Sequence, residues 1–238
     1  MQSNKEEALN LYAKVEDLLG VQDVAPTLNS YYYDILSQFN FNSLLDIGCG
    51  KGEFLRKLRG VEPSVRLLGI DRSSLMIEET KLKGIDAKVA DIKEIREEFD
   101  IATAVFDMVN YLNPKEIDEF FEQLSMVVKK GGYFIFDINT LFGLSELAVG
   151  NFIAQDEDRF VTIESFFEDN IYESFWTLFE RKNGNIFKKS SQEIRQYYYD
   201  EDFFLNLKSW KVIKTIPISL YGEESIDKEI FVLHNIRA

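Results

Sequence analysis

The sequence predicts a doubly wound α/β sheet that carries an antiparallel β insertion, and three observations predict it. First, the apolar run Leu44-Leu45-Asp46-Ile47 is followed by glycines at every second position, Gly48, Gly50 and Gly52. A helical pattern follows at once, with Phe54, Leu55 and Leu58 as its apolar positions. Second, further apolar runs at 65–71, 87–90, 99–106 and 133–138 alternate with helix-period segments, the rhythm of parallel strands joined by crossover helices. Third, from about 141 to 199 the chain turns β-rich and aromatic, with Asp169-Asn170 and Asn183-Gly184-Asn185 between the runs. Asn-Gly is a strong hairpin signal.

Taken in order, residues 4–20 read as a helix with Leu9, Tyr12, Leu18 and Leu19 apolar and Gly20 as its stop. A second helix, 27–39, starts near Thr27 or Asn29 after Pro26 and carries Tyr31-Tyr32-Tyr33, which either pack and solvate or line a pocket. Strand 43–47 and a helix to about Leu58 come next, then strand 65–71 ending in Asp71. Ser73 or Ser74 caps the following helix. Strand 87–90 leads into Asp91-Ile92, and strand 99–106 into Asp107. Asn113-Pro114 opens helix 115–129, which Gly131-Gly132 stop before strand 133–138. The insertion reads as three strands, 159–168, 171–182 and 186–199. A short helix at 200–209 with Asp200 as cap precedes strands 210–218 and 229–236. His234 alternates with Ile230, Val232 and Ile236, the pattern of a structural residue on one sheet face.

Bulk properties narrow the class. The 238 residues suffice for one large α/β domain or a domain with a substantial insertion, and 45% hydrophobic with 29% charged residues is ordinary for a globular protein. No run approaches the roughly 20 apolar residues of a membrane span. The start, Met-Gln-Ser-Asn-Lys-Glu-Glu, shows no signal-peptide pattern, so cytoplasm is the simplest compartment. Cys49 is the single cysteine, which rules out a disulfide framework and a cysteine metal cluster; no metal site stands out. Lys and Arg number 27 against 41 Asp and Glu, a net charge of −14. A nucleic-acid backbone calls for a basic stripe, whereas the basic clusters here are pairs such as Lys129-Lys130 and Lys188-Lys189. Nucleic acid is disfavoured as a substrate.

The glycine spacing selects the ligand. A dinucleotide fingerprint, G-x-G-x-x-G, wants its third glycine at 53, where the chain has Glu53. Glu53 and Asp46 would face a pyrophosphate but tolerate a cationic or neutral ligand, and S-adenosylmethionine is such a ligand. Asp71, at a strand end, is placed to accept from both ribose hydroxyls.

The run Asp46 to Gly52, Asp71, Val89-Ala90-Asp91-Ile92 and Phe99 to Asp107 together resemble the class I S-adenosylmethionine-dependent methyltransferases over about residues 40–140. The resemblance implies a Rossmann-like seven-stranded sheet in the order 3-2-1-4-5-7-6, built from 1–140 and 200–238, with the insertion 141–199 over the active site or as a dimer surface. It implies cofactor contacts from Asp46, Gly48, Cys49, Gly50 and Gly52, from Asp71 and Arg72, and from Phe106 and Asp107. Met76 is expected either beside the adenine or in the core. Asp91 is expected either on the adenine amine, with Ile92 N–H on a ring nitrogen, or as a cap for Lys93–Glu98. The end of strand 4 lies beside the reacting methyl in this fold, and Phe106-Asp107-Met108-Val109 departs from the N/D-P-P-Y/F run of methyltransferases that act on base amines or glutamine amides. Asp107 and Tyr111 are the catalytic candidates, with Asp137 a third by position. Tyr32, Asn110, Tyr111, Asn139, Tyr172 and Trp176 are the substrate candidates. The expected function is methyl transfer to an O or N nucleophile of a small molecule. A cofactor-binding protein without transfer chemistry and a protein methyltransferase are the alternatives.

Overall fold

The computed structural model describes residues 5–222 and 225–237. Its larger sheet holds seven strands. In chain order these are β1 (Ser43–Ile47), β2 (Arg66–Asp71), β3 (Ala87–Val89), β4 (Phe99–Ala104), β5 (Val128–Asn139) and, after four others, β10 (Trp210–Ile218) and β11 (Lys228–Asn235). The spatial order is β3-β2-β1-β4-β5-β11-β10, with β11 antiparallel to β5 and to β10, which is the order the resemblance implied. Helices α2 (Val21–Leu36), α3 (Glu53–Val61) and α4 (Ser74–Leu82) lie on one side, and α5 (Glu116–Val127) and α6 (Glu201–Leu205) on the other. Strand β1 is buried at all five positions because helices cover both faces, so it reads as an apolar run rather than an alternation.

One core, under α5 and α6, is strongly aromatic, with Phe121, Phe134, Phe136, Phe204 and Phe231 in mutual ring contact. The other buries Leu44, Leu67, Ile101 and Ile135 against Ile35, Leu36, Leu55 and Leu58. Ser73 caps α4 by accepting from Met76 N, and Asp200 caps α6 through Phe203 N.

Two expectations for the amino-terminal region are corrected. The helix expected over 4–20 is broken into α1 (Lys5–Ala13) and a 3₁₀ turn at Glu16–Leu18, because Val15, fully buried, bends the chain into the insertion. The next helix starts at Val21, not Thr27; Gly20 at φ +72° turns the chain straight into it, and Pro26 is tolerated in its second turn.

The insertion is a sheet of four strands, not three: β6 (Gly150–Gln155), β7 (Arg159–Glu168), β8 (Ile171–Asn183) and β9 (Ile186–Tyr197), antiparallel in that order. Strand β6 is an exposed edge and so lacks the alternation by which a half-buried strand declares itself. The inner face of this sheet, Val161, Ile163, Trp176, Leu178 and Ile194, packs on Ala8, Leu11 and Val15 of the amino-terminal segment. No helix among the described residues is long and apolar enough to cross a membrane.

Candidate active site

The carboxyl ends of β1 to β5, α1, α2 and the inner face of the four-stranded sheet enclose a cleft of about 1220 Å³. This exceeds the volume of a pocket for one drug-sized ligand, about 300–1,000 Å³, and leaves room for two ligands side by side.

The glycine turn forms its floor. Gly48, Gly50 and Gly52 all have positive φ (+72°, +52° and +74°), yet each is bare for its own reason. A Cβ on Gly48 would lie 2.7 Å from Met108 Cγ, and one on Gly52 would lie 2.6 Å from Thr80 Cγ2. A Cβ on Gly50 would meet nothing within 4 Å. Gly50 therefore faces open space, while the Cβ direction of Gly52 is turned to α4. Asp71 ties the turn to the next strand by accepting from Gly50 N at 3.0 Å and Ser73 N at 2.8 Å. Burial pushes its carboxyl up, and these backbone donors partly offset that. Asp46 accepts from Thr103 Oγ1 at 2.7 Å; burial drives its pKa up to about 7, Thr103 working against the rise and Asp71 adding to it. Cys49 is buried, and burial raises its thiol, so it stays protonated.

Beyond β2 and β3, Met76 and Ile92 are buried and also line the cleft. Asp91 caps the 3₁₀ turn Ile92–Glu94 and is ion-paired with Arg72. Burial opposes its ionisation, but the Arg72 guanidinium prevails and holds the carboxyl below its ordinary range. The capping reading of Asp91 is the one observed, and both residues still lie on the cleft wall.

At the end of β4 the backbone does something L-residues rarely do: Phe106 and Asp107 are consecutive left-handed residues, at φ +62° and +50°. Asp137 holds them there. Fully buried, it accepts from Phe106 N at 2.8 Å, Asp107 N at 2.9 Å, Tyr32 Oη at 2.6 Å and Lys228 Nζ at 3.0 Å. Asp137 is thus a positioning group rather than a base. Lys228, also buried, reaches Asp107 Oδ1 at 2.5 Å and Asn139 Oδ1 at 2.9 Å. Burial works against this ammonium, yet Asp107 and Asp137 outweigh it and raise its pKa. The other Asp107 oxygen accepts from Gln196 Nε2 of β9.

Lys228 and Gln196 escape the sequence reading. The available signal was a lysine sharing a strand face with Ile230 and Val232, where a charge has to find a buried partner. Tyr32 and Asn110 are corrected in turn. Tyr32 is fully buried behind the wall, its hydroxyl spent on Asp137 and Ala104 O. Asn110 is fully buried too, donating to Tyr197 O at 2.8 Å and accepting from Asn139 N at 2.9 Å. It stitches the two sheets together.

The remaining candidates, Tyr111, Asn139, Tyr172 and Trp176, do line the cleft around Asp107, joined by Tyr12 and Tyr221. Burial first and the Asp107 charge next keep the phenol of Tyr111 protonated, and burial raises that of Tyr172 against the opposing pull of Ser165 and Ser174. Tyr12 meets Trp176 edge to face at 5.9 Å. Lys5–Glu116, Lys14–Glu180, Glu16–Lys51 and Asp17–Arg159 ion pairs fasten the amino-terminal segment across the opening. His234 is stacked on Tyr133 at 5.1 Å, away from this wall.

A glycine-floored cleft at the strand ends of a sheet in this order is the arrangement of the α/β methyltransferase fold. Residues 44–132 match the family described as methyltransferase domain. YqeM of Bacillus subtilis (strain 168), which carries a provisional methyltransferase name, is 30% identical over 133 residues, 52% of this chain and 53% of YqeM. The chain thus spans about half the length of that curated relative. Among solved structures, an S-adenosylmethionine-dependent methyltransferase from Clostridium acetobutylicum ATCC 824 superposes with a TM-score of 0.76 at 22% identity, covering 95% of this chain and 99% of that one. CalS10, an amino pentose methyltransferase from Micromonospora echinaspora solved with its cofactor bound, gives 0.61 at 18% identity over 92% and 91%. The chain has the fold of the S-adenosylmethionine-dependent methyltransferases, with the methyltransferase-domain match confined to residues 44–132. The lining would fit a cationic nucleoside such as the S-adenosylmethionine bound to CalS10: Gly50 leaves the floor open, and Asp46 and Asp71 suit a cation where a phosphate would be repelled.

Proposed function

We propose that this protein methylates a small molecule, and that the nucleophile is an amine nitrogen. The observation that carries the reading is the wall around Asp107. The acceptor end is roofed by β8 and β9 and closed by α1, and Tyr111, Tyr172 and Trp176 line it, which suits a small molecule better than a protein side chain presented on a loop. The cofactor, when bound, supplies a methyl group already activated on a sulfonium. The protein's part is to align a lone pair behind it and to exclude water.

The residues at hand favour nitrogen over oxygen. A hydroxyl would need a base, but the phenols nearby are held protonated and Asp107 is engaged by Lys228 and Gln196. A neutral amine brings its own lone pair and becomes cationic as it reacts. Asp107 and Asp137 against Lys228 leave one net negative charge to receive that cation, and tyrosine and tryptophan faces favour it further. CalS10, by its name, acts on an amino pentose, which accords with this reading. Cofactor contacts are assigned to Asp46, Gly48, Gly50, Asp71, Met76 and Ile92, and acceptor contacts to Tyr111, Asn139, Tyr172 and Trp176. The outer face of the four-stranded sheet, with Ile153, Phe166 and Phe175 exposed, is the surface through which two copies would pair.

The test is methyl transfer from labelled cofactor into a metabolite extract. Label in small amines supports the proposal. Label in hydroxyl compounds overturns the nitrogen assignment, and label in protein, or none transferred, overturns the small-molecule reading.

A further inference from the structure

Asn29 carries a buried amide for which the protein supplies no partner. It is 4% exposed, and its Oδ1 makes no hydrogen bond with any described residue. Such a group is costly to leave unsatisfied and calls for an explanation. The side chain lies on the wall of the cleft.

Its place along the cleft is fixed by its own helix. Tyr32 follows Asn29 by three positions on α2, so the two share a face, and Tyr32 Oη donates to Ala104 O at the end of β4 at 3.1 Å. Asn29 therefore stands one helical turn before Tyr32 on that face and lines the same cleft as Asp46, Gly48 and Gly50. Arg72 and Asp91 mark one end of the cleft and Asp107 marks the acceptor side. The third direction, past Gly48 toward α2, is the one Asn29 occupies.

The charges at this end are already matched. Lys51 is 3.1 Å from Glu16, and Glu53 takes both Lys83 at 2.8 Å and Arg56 at 2.9 Å. A phosphate would find few cations there. A zwitterion, carrying no net charge but both a donor and an acceptor, would fit. A carboxamide offers the complementary pair: its oxygen accepts from an ammonium and its nitrogen donates to a carboxylate. Because neither end of the Asn29 amide is held, a half-turn about its last bond presents either one.

We propose that the Asn29 side-chain amide binds the amino-acid end of the cofactor. The proposal rests on the reading that this cleft holds S-adenosylmethionine, and the experiment separates the two. The full chain is titrated by calorimetry with S-adenosylhomocysteine and with 5′-methylthioadenosine, which keeps the nucleoside thioether but lacks the amino-acid end. Asn29→Leu, close in volume and without the amide, should weaken S-adenosylhomocysteine about tenfold or more, the range of a hydrogen bond to a charged group. It should leave 5′-methylthioadenosine unchanged. Asn29→Ser, a smaller polar replacement, should show the same split and serves if the leucine variant does not fold. Unchanged affinity for both ligands overturns the proposal, as does an equal loss for both, which would make Asn29 a packing residue of α2. A wild-type protein that binds neither nucleoside overturns the cofactor reading itself.

Discussion

Lys228 Nζ lies 2.5 Å from Asp107 Oδ1 across 121 positions of sequence, and the same ammonium is 3.0 Å from Asp137 Oδ2. One buried cation thereby joins the last strand of the sheet to the left-handed turn after β4. The turn, its carboxylate and the acceptor end of the cleft are held as a unit.

Lys228→Met should leave two buried carboxylates facing each other with no cation between them. Breaking a buried pair in this way costs about 3–5 kcal/mol. Denaturant unfolding of the variant should show a loss of that order. Asp137→Asn in the Lys228→Met background should recover part of it by removing one of the stranded charges. Wild-type stability in the single variant would show that the ammonium is dispensable.

Asp46 gives a pH prediction with a defined sign. Its carboxyl is raised by burial from 3.8 to about 7, so over this interval the folded protein holds a proton that the unfolded chain has lost. The contribution to stability is complete below the unfolded pKa and is lost as pH rises through about 7. Asp46→Asn should flatten that decline. Affinity for the sulfonium cofactor should move the other way, rising through the same pH range as Asp46 ionises, and the asparagine variant should lose this dependence in a calorimetric pH series.

Gly50 and Gly52 should separate function from folding. Gly52→Ala places a methyl 2.6 Å from Thr80 Cγ2 at φ +74° and should destabilise the fold measurably. Gly50→Ala meets no neighbour within 4 Å, so its stability loss should stay near the roughly 1–2 kcal/mol of a left-handed L-residue. Its methyl nevertheless enters the cleft and should depress affinity for S-adenosylhomocysteine. Equal thermal shifts with intact binding in both variants would contradict the distinction.

Asp71→Ala should weaken the cofactor, and it should also loosen the glycine turn, because Gly50 N and Ser73 N lose their acceptor. Asp71→Asn retains one acceptor oxygen and should preserve more of the turn while still losing affinity. Paired melting and calorimetry measurements distinguish the two effects.

How much of this was legible follows from what each residue depends on. The strands of the larger sheet and the glycine floor could be read because they are local (an apolar run, a bare turn, a carboxylate at a strand end), while the order of those strands came with the family resemblance. Strand β6 could not, since an edge strand facing solvent on nearly every residue has no period to read. Tyr32 was assigned to the substrate as an aromatic of the helix before β1 and Asn110 by its place after β4, but both side chains turn inward to satisfy buried groups that only the fold brings near. Lys228, Gln196 and Asn29 were invisible for the same reason. Their importance lies in which partner they meet, or fail to meet, far along the chain.

The four-stranded sheet touches the Asp107 end of the cleft through Gln196 on Asp107 and through the Tyr197 carbonyl on Asn110, while the glycine floor lies between β1 and α3 and is tied to β2 and α4. On the proposed function, the grip on the nucleoside and the choice of clientele are written in separate stretches of chain. Redrawing the cleft-facing residues of β8 and β9 would then retarget the protein as exchanging a lens refocuses a camera, with the film left in place.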